Sequence, residues 1–289
     1  MSKTQIRENI HLFVCPLCGE KMRMKNDKSI VCTKNHCFDL SKRGYVNLLV
    51  SRVNTEYDRD MLESRNLIIK SGLFEPMTQA LSSLILENTP KDAADGIRIL
   101  DAGCGEGSHL AQIIDSISGS TNMKITGIGI DISKEGIQIA SRDYPGIAWC
   151  VADLTGIPFA DGGFNGVLNI LSPANYSEFK RLLTDDGLLV KVVPGSGYLA
   201  QLREFFYRST ENEEYSNQRV IEHFQNSFNM TGMHRILYNM PVDKENLKHL
   251  IRMTPLSWGA ADKRIKEALK TGIPDITVDL TVILGKRQT

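Results

Sequence analysis

No run of apolar residues in this 289-residue chain reaches membrane-spanning length, and its first dozen residues are too polar for a secretory leader. Internal repeats and low-complexity tracts are absent too, so neither a solenoid nor a disordered scaffold is in view. Cysteine is scarce: there are six, and Cys104 and Cys150 stand alone while the others cluster near the N-terminus beside a histidine. That usage argues against a disulfide framework and for a reducing compartment, so a cytoplasmic protein without a membrane partner is expected. Net charge is missing as well, with 34 Lys and Arg against 34 Asp and Glu. The balance hides an asymmetry. Residues 1–52 hold ten basic and four acidic side chains, a net of +6, which leaves −6 for the remainder. A basic module on an acidic body suits a polyanionic partner, although a merely solvated basic face has the same composition.

What is present begins with Cys15-Pro-Leu-Cys18, followed by Cys32 and His36. A Cys-x2-Cys turn presents two thiolates to one ion, and a second pair closes a tetrahedral Zn²⁺ shell with no position open for catalysis. Cys37 directly follows His36 and competes with it as fourth ligand. Lys or Arg at 21, 23, 25, 34, 42 and 43 surround the ligands and are candidate phosphate contacts. Residues 21–25 and 29–31 read as ribbon strands after a polar leader over 1–12. So short a module has too little core to fold without its metal.

After a polar linker over 51–59, helical spacing covers 60–71 and 75–88, broken at Gly72; Thr89-Pro90-Lys91-Asp92 ends the second helix. From residue 97, short apolar strands (97–101, 125–130, 148–152, 165–170, 188–193) alternate with helical stretches near 107–118, 134–144 and 174–183. Such alternation predicts βαβ units and a mostly parallel sheet. Another helix begins near Tyr198, 233–239 reads as extended, and 244–252 and 263–270 as helical. Residues 275–284 alternate strictly, which suits an antiparallel strand added at the edge.

The first of those strands runs into Asp101-Ala-Gly103-Cys-Gly105-Glu106-Gly107. Glycines there let a ligand touch the backbone beside a helix N-terminus, and the spacing fits a dinucleotide fingerprint poorly. Asp101 suits the cationic amino end of S-adenosylmethionine (SAM). The second strand ends at Asp131, placed to hold two ribose hydroxyls. The third ends at Asp153-Leu154, where Asp153 can accept from an adenine amino group. Each acid could instead cap the next helix, but Ser133 is a competent cap that releases Asp131.

Other segments stand out: Phe38-Asp-Leu-Ser-Lys-Arg-Gly-Tyr-Val-Asn-Leu-Leu49, Leu171-Ser-Pro173, Val193-Pro-Gly195 and Met253-Thr-Pro-Leu-Ser-Trp258. Together with the Cys/His pairs, Asp101 to Gly107 and Gly127 to Ser133, they make the chain resemble the 23S rRNA guanine-N1 methyltransferases of the RlmA type. The resemblance implies a class I SAM-dependent methyltransferase, with a Rossmann-like, seven-stranded, mostly parallel sheet and a small N-terminal zinc-ribbon module. It also implies methylation of guanine N1 in a 23S rRNA hairpin near the peptide tunnel, RNA held partly by the zinc module, and a homodimer. Phe74, Gly105, Glu106 and Tyr198 become cofactor-lining positions, although some members carry Tyr and His where Phe74 and Tyr198 stand. Three regions are expected: an RNA-recognition module over 1–49, a linker with helices covering the cofactor over 50–96, and the transferase over 97–289.

The loop from Asn169 to Tyr176 lacks the Asn/Asp-Pro-Pro-aromatic arrangement that gathers the protons of an exocyclic amine. It also lacks the Pro-Cys pair of cytosine-C5 enzymes, which leaves Cys150 as a core residue. Both absences agree with a ring-nitrogen target. Guanine N1 lies on the pairing edge, so the base must be unpaired or flipped, and Tyr176 and Trp258 are possible stacking residues with core packing as the alternative. Two rival readings remain: a methyltransferase for small molecules such as a quinone precursor, and a zinc-stabilised RNA-binding protein with a vestigial SAM pocket.

Overall fold

A computed structural model describes residues 2–51, 53, 57–89, 96–208 and 216–288. The expected stop at Pro90 to Asp92 lies outside them. A three-stranded antiparallel ribbon comes first, built from β1 (Met22–Lys25), β2 (Ser29–Cys32) and β3 (Cys37–Asp39). Then β4 (Val46–Asn47), α2 (Arg59–Lys70) and α3 (Glu75–Asn88) lead into the alternating region. That region holds β5 (Ile97–Ala102), α4 (Ser108–Ser120), β6 (Ile125–Asp131), α5 (Lys134–Asp143), β7 (Ala148–Val151), β8 (Phe164–Ile170), α6 (Tyr176–Leu182) and β9 (Leu183–Pro194). Next come α7 (Ala200–Tyr207), α8 (Gln218–Ser227), β10 (Asn229–Pro241), α9 (Lys244–Met253), α10 (Asp262–Thr271) and β11 (Asp275–Lys286).

The main sheet runs β10-β11-β9-β8-β5-β6-β7-β4. Strands β5 to β9 pair in parallel, whereas β11 is antiparallel to both β9 and β10. Seven strands belong to the alternating region, as expected. The eighth, β4, comes from the zinc-bearing segment and adds in parallel to β7, Val46 opposite Cys150.

Strand alternation sorts the core into two layers. In β5, Ile97 and Ile99 face one and Leu100 and Ala102 the other. In β11, Ile276, Val278, Leu280, Val282 and Leu284 all enter the first layer, the face read from the sequence. Each such side chain contributes roughly 1.5–3 kcal/mol when fully buried. The second layer is shared: Leu12, Phe13, Met22, Ile30 and Val46 pack with Phe159 and Phe164, and Phe13 meets Phe159 edge-on at 4.9 Å.

The short strands β3 and β4 and two helices depart from the sequence reading. The polar leader contains α1 (Ser2–Glu8), pinned by fully buried Ile6. Its one deeply buried apolar residue produces too little periodicity to notice. Helix α8 rests on Val220, Ile221, Phe224 and the following Phe228, apolar residues at helical spacing that went unread.

Candidate active site and metal centre

Two tight turns build the metal centre. Cys15 O accepts from Cys18 N and Gly19 N at 3.3 and 2.8 Å, and Gly19 takes a positive φ of 72°. The second turn copies the first: Cys32 O accepts from Asn35 N at 3.0 Å, with Asn35 at φ 64°. The ligand atoms of Cys15, Cys18, Cys32 and His36 then lie within 4.8 Å of one another. Sγ of Cys18 and Cys32 are 3.7 Å apart, and His36 Nδ1 is 3.4 and 3.5 Å from Cys15 and Cys32 Sγ. A tetrahedron with Zn–S near 2.3 Å and Zn–N near 2.0 Å has edges of about 3.8 and 3.5 Å. The donor set therefore fits zinc. Cys37 is exposed on β3 and stands outside the cluster.

The ends of β5, β6 and β7 and the loop after β8 surround a cavity of about 320 Å³. Gly103, Gly105, Asp131, Asp153 and Leu154 line it. Gly103 has φ +86°, and a Cβ there would sit 1.9 Å from Ser172 Oγ, so the glycine loop and the 171–175 loop close on each other. Gly107 serves packing instead: a Cβ there would meet the Trp149 ring at 2.5 Å. Asp131 accepts from Gly105 N at 2.8 Å and Ser133 N at 2.7 Å. Ser133 is the N-cap of α5, as expected, and accepts from Gly136 N. Asp153 accepts from Thr155 N at 2.9 Å.

Beneath the loop lie two buried acids. Asp101 Oδ1 and Glu106 Oε2 have no hydrogen-bond partner. Burial pushes the Asp101 carboxyl up to about 8, with Arg65 pulling it partly back and Asp131 and Glu106 adding repulsion. Burial also raises Glu106 and Asp131, against the pull of Arg65 and of backbone N–H groups. Glu106 has Arg65 beside it, whereas the unpartnered oxygen of Asp101 is what an ammonium-bearing ligand requires. Phe74 and Tyr198 do not line the cavity: Phe74 is buried edge-on to His109 at 5.4 Å, and Tyr198 is half-buried with its hydroxyl pushed up to about 12 by burial.

Arg65 was not anticipated. It lines the cavity 20% exposed, with Nε 3.3 Å from Glu106 Oε2. Leu62 and Ile69 share its stripe on α2, so one arginine among apolar residues was the available signal. Asn66 fixes this helix by donating to Ser108 Oγ at 3.2 Å. Tyr57 and Leu62 also line the cavity unforeseen, together with the 171–175 loop that the sequence had singled out. The loop is held from below: Lys191 Nζ donates to Asn169 Oδ1 and Ser172 O, both at 2.5 Å, and Asn169 Nδ2 donates to Pro173 O at 2.9 Å. Burial lowers Lys191 to about 8.

Of the stacking candidates, Tyr176 is core, packed among Phe179, Phe224 and Phe228, whereas Trp258 is 47% exposed. Cys150 is fully buried with its thiol pushed well up, in keeping with a core cysteine. All six basic residues around the zinc ligands are exposed, Lys34 beside Glu20 at 3.8 Å. No helix among the described residues is long and apolar enough to cross a membrane.

Comparison with known proteins agrees with this geometry. Residues 13–52 match the zinc ribbon described as "RlmA, N-terminal", and residues 93–254 match a methyltransferase domain. A Bacillus subtilis (strain 168) protein, YxjB, assigned to the 23S rRNA (guanine-N(1)-)-methyltransferases, is 40% identical over 96% of this chain and 97% of its own. The chain belongs to this family. A Streptomyces fradiae member, the 23S rRNA (guanine(748)-N(1))-methyltransferase, is 27% identical over 96% of this chain and 97% of its own. Membership makes the chain a SAM-dependent methyltransferase of class I fold and its Cys₃His cluster a structural zinc site.

Proposed function

We propose that the chain methylates N1 of a guanine in a 23S rRNA hairpin. The observation that carries the cofactor half is the unpartnered, buried Asp101 oxygen beneath a glycine loop whose neighbouring strands end in Asp131 and Asp153. In this reading Asp101 takes the ammonium, Arg65 the carboxylate end, Asp131 the ribose hydroxyls and Asp153 with Leu154 the adenine. Gly103 and Gly105 let the ligand reach the backbone, Glu106 holds Arg65, and Phe74 and Tyr198 pack behind. When bound, SAM supplies a methyl group on a sulfonium.

The chain itself contributes position. In-line displacement gains chiefly from holding the two reactants at reacting distance, and Lys191 with Asn169 fixes the 171–175 loop beside that point. The same bonds already occupy the Ser172 and Pro173 carbonyls, which leaves them less able to collect the protons of an exocyclic amine. That supports a ring-nitrogen target. The basic ribbon over 1–49 is the RNA-recognition module, 50–96 covers the cofactor, and 97–289 performs transfer. A homodimer in the cytoplasm belongs to the same reading, and light scattering on the purified protein reads its oligomeric state.

The test incubates the protein with SAM and unmodified 23S rRNA, followed by primer extension. A methyl on N1 blocks pairing, so a single new stop and 1-methylguanosine by mass spectrometry are expected. No stop, or methylation of a small quinone precursor instead, would overturn the assignment.

A further inference from the structure

An aromatic pair places one of its rings in the cavity wall. Tyr57 lines it, and its ring lies 5.6 Å from that of Trp258 with the planes 64° apart. They are 38% and 47% exposed, and they are the exposed aromatic side chains among the described residues. The chain's other tryptophan, Trp149, is completely buried. Large aromatic side chains left this exposed forgo part of their burial energy, and such exposure marks binding surfaces.

The pair is built rather than accidental. Tyr57 directly precedes Asp58, whose carboxylate caps α2 by accepting from Met61 N at 2.7 Å. Trp258 closes the turn after α9, donating its backbone N–H to Pro255 O at 3.1 Å, and Tyr207 Oη donates to Leu256 O at 2.8 Å. Helix α9 is tied to α2 by Arg252 Nη2 on Asp60 Oδ2 at 2.6 Å. Segments far apart in the chain thus place Tyr57 in the cavity wall and Trp258 against it.

We propose that Tyr57 and Trp258 form the stacking platform for the guanine that enters the cavity. This rests on the functional reading above. A base reacting at its pairing edge must leave its neighbours, and it loses their stacking when it does. Planar rings on the protein replace that stacking while leaving the reacting edge free, and they carry no preference for charge. Tyr57, which shares the cavity with Gly103 and Ser172, is the nearer partner of the reacting base, and Trp258 backs it.

The test compares Tyr57→Ala, Trp258→Ala and Trp258→Phe with the wild type on unmodified 23S rRNA. Each alanine variant should lose roughly 10- to 100-fold in kcat/KM for the RNA, while SAM affinity stays within about twofold. Trp258→Phe should recover most of the loss, because it keeps an aromatic face. Binding of the RNA should also quench the exposed Trp258 emission and leave that of buried Trp149, as seen in Trp258→Ala. Normal rRNA methylation by both alanine variants would overturn the platform. So would a fall in SAM affinity matching the fall in activity, since the rings would then cover the cofactor. If the wild type methylates no guanine in 23S rRNA, the functional reading fails and takes this one with it.

Discussion

In the proposed role of ammonium partner, Asp101 would tie binding to pH. Its folded-state carboxyl titrates near 8 because burial disfavours the anion, well above its ordinary value of 3.8. The folded chain therefore keeps a proton that the unfolded chain gives up. The stabilisation this supplies is full below about pH 4 and is lost as pH rises towards 8. A bound ammonium favours the anion, so ligand binding must expel that proton. SAM affinity is accordingly expected to rise between pH 6 and 8, and the thermal shift produced by SAM should grow in step. Asp101→Asn should bind SAM roughly 10- to 100-fold more weakly, the loss of one charge-assisted hydrogen bond, and should show a flatter pH profile over that range. Isothermal titration at several pH values checks both. An unchanged slope in the variant would remove Asp101 as the titrating group.

Elements record what pattern can and cannot carry. Strands β5 to β11 were legible because burial imposes alternation or continuous apolar runs, and the place of Asp131 and Asp153 at the cavity was legible because a parallel sheet opens its crevice at the strand ends. Arg65 was not, since α2 reads as an ordinary amphipathic helix until its partners on other elements are known. Strand β4 escaped for a related reason: two residues, Val46 and Asn47, have no period, and only β7 makes them a strand. Its presence changes what zinc does. A module beside the body would melt alone, but this one shares a core with Phe159 and extends the main sheet. Cys15→Ser, or prolonged chelation, should therefore lower the midpoint of one common unfolding transition, by on the order of 10 °C for a loss of several kcal/mol. SAM affinity should fall, because β4 borders the strand leading to Asp153, and methylation of rRNA should fall further, because the ribbon proposed to hold the RNA is lost as well. Calorimetry with and without added zinc reads this, and two separate transitions with the larger unmoved would refute the shared core.

For the molecule as a whole, charge is arranged on the same scale as the two chemistries. The N-terminal 52 residues carry +6 and the rest −6, so an RNA is drawn to the zinc-bearing end and repelled from much of the body. Lys21, Arg23, Lys25, Lys34, Lys42 and Arg43 are all exposed there, in a segment that leads from the ribbon into β4, which is hydrogen-bonded to the cavity's own sheet. Such contacts release counterions, and the logarithm of affinity falls by roughly 0.7 per neutralised phosphate for each tenfold rise in salt. If all six engage, binding of unmodified 23S rRNA should weaken by about two to three orders of magnitude between 50 and 200 mM salt. Replacing Lys21 and Lys25 by Gln should reduce that slope by roughly 1.4 without altering SAM affinity, since neither lines the cavity. Filter binding across a salt series gives the slope for both proteins. Equal slopes would place the RNA clamp elsewhere on the surface, whereas a reduced slope with unchanged SAM affinity assigns the zinc-bearing ribbon to recognition and leaves transfer to the strand ends.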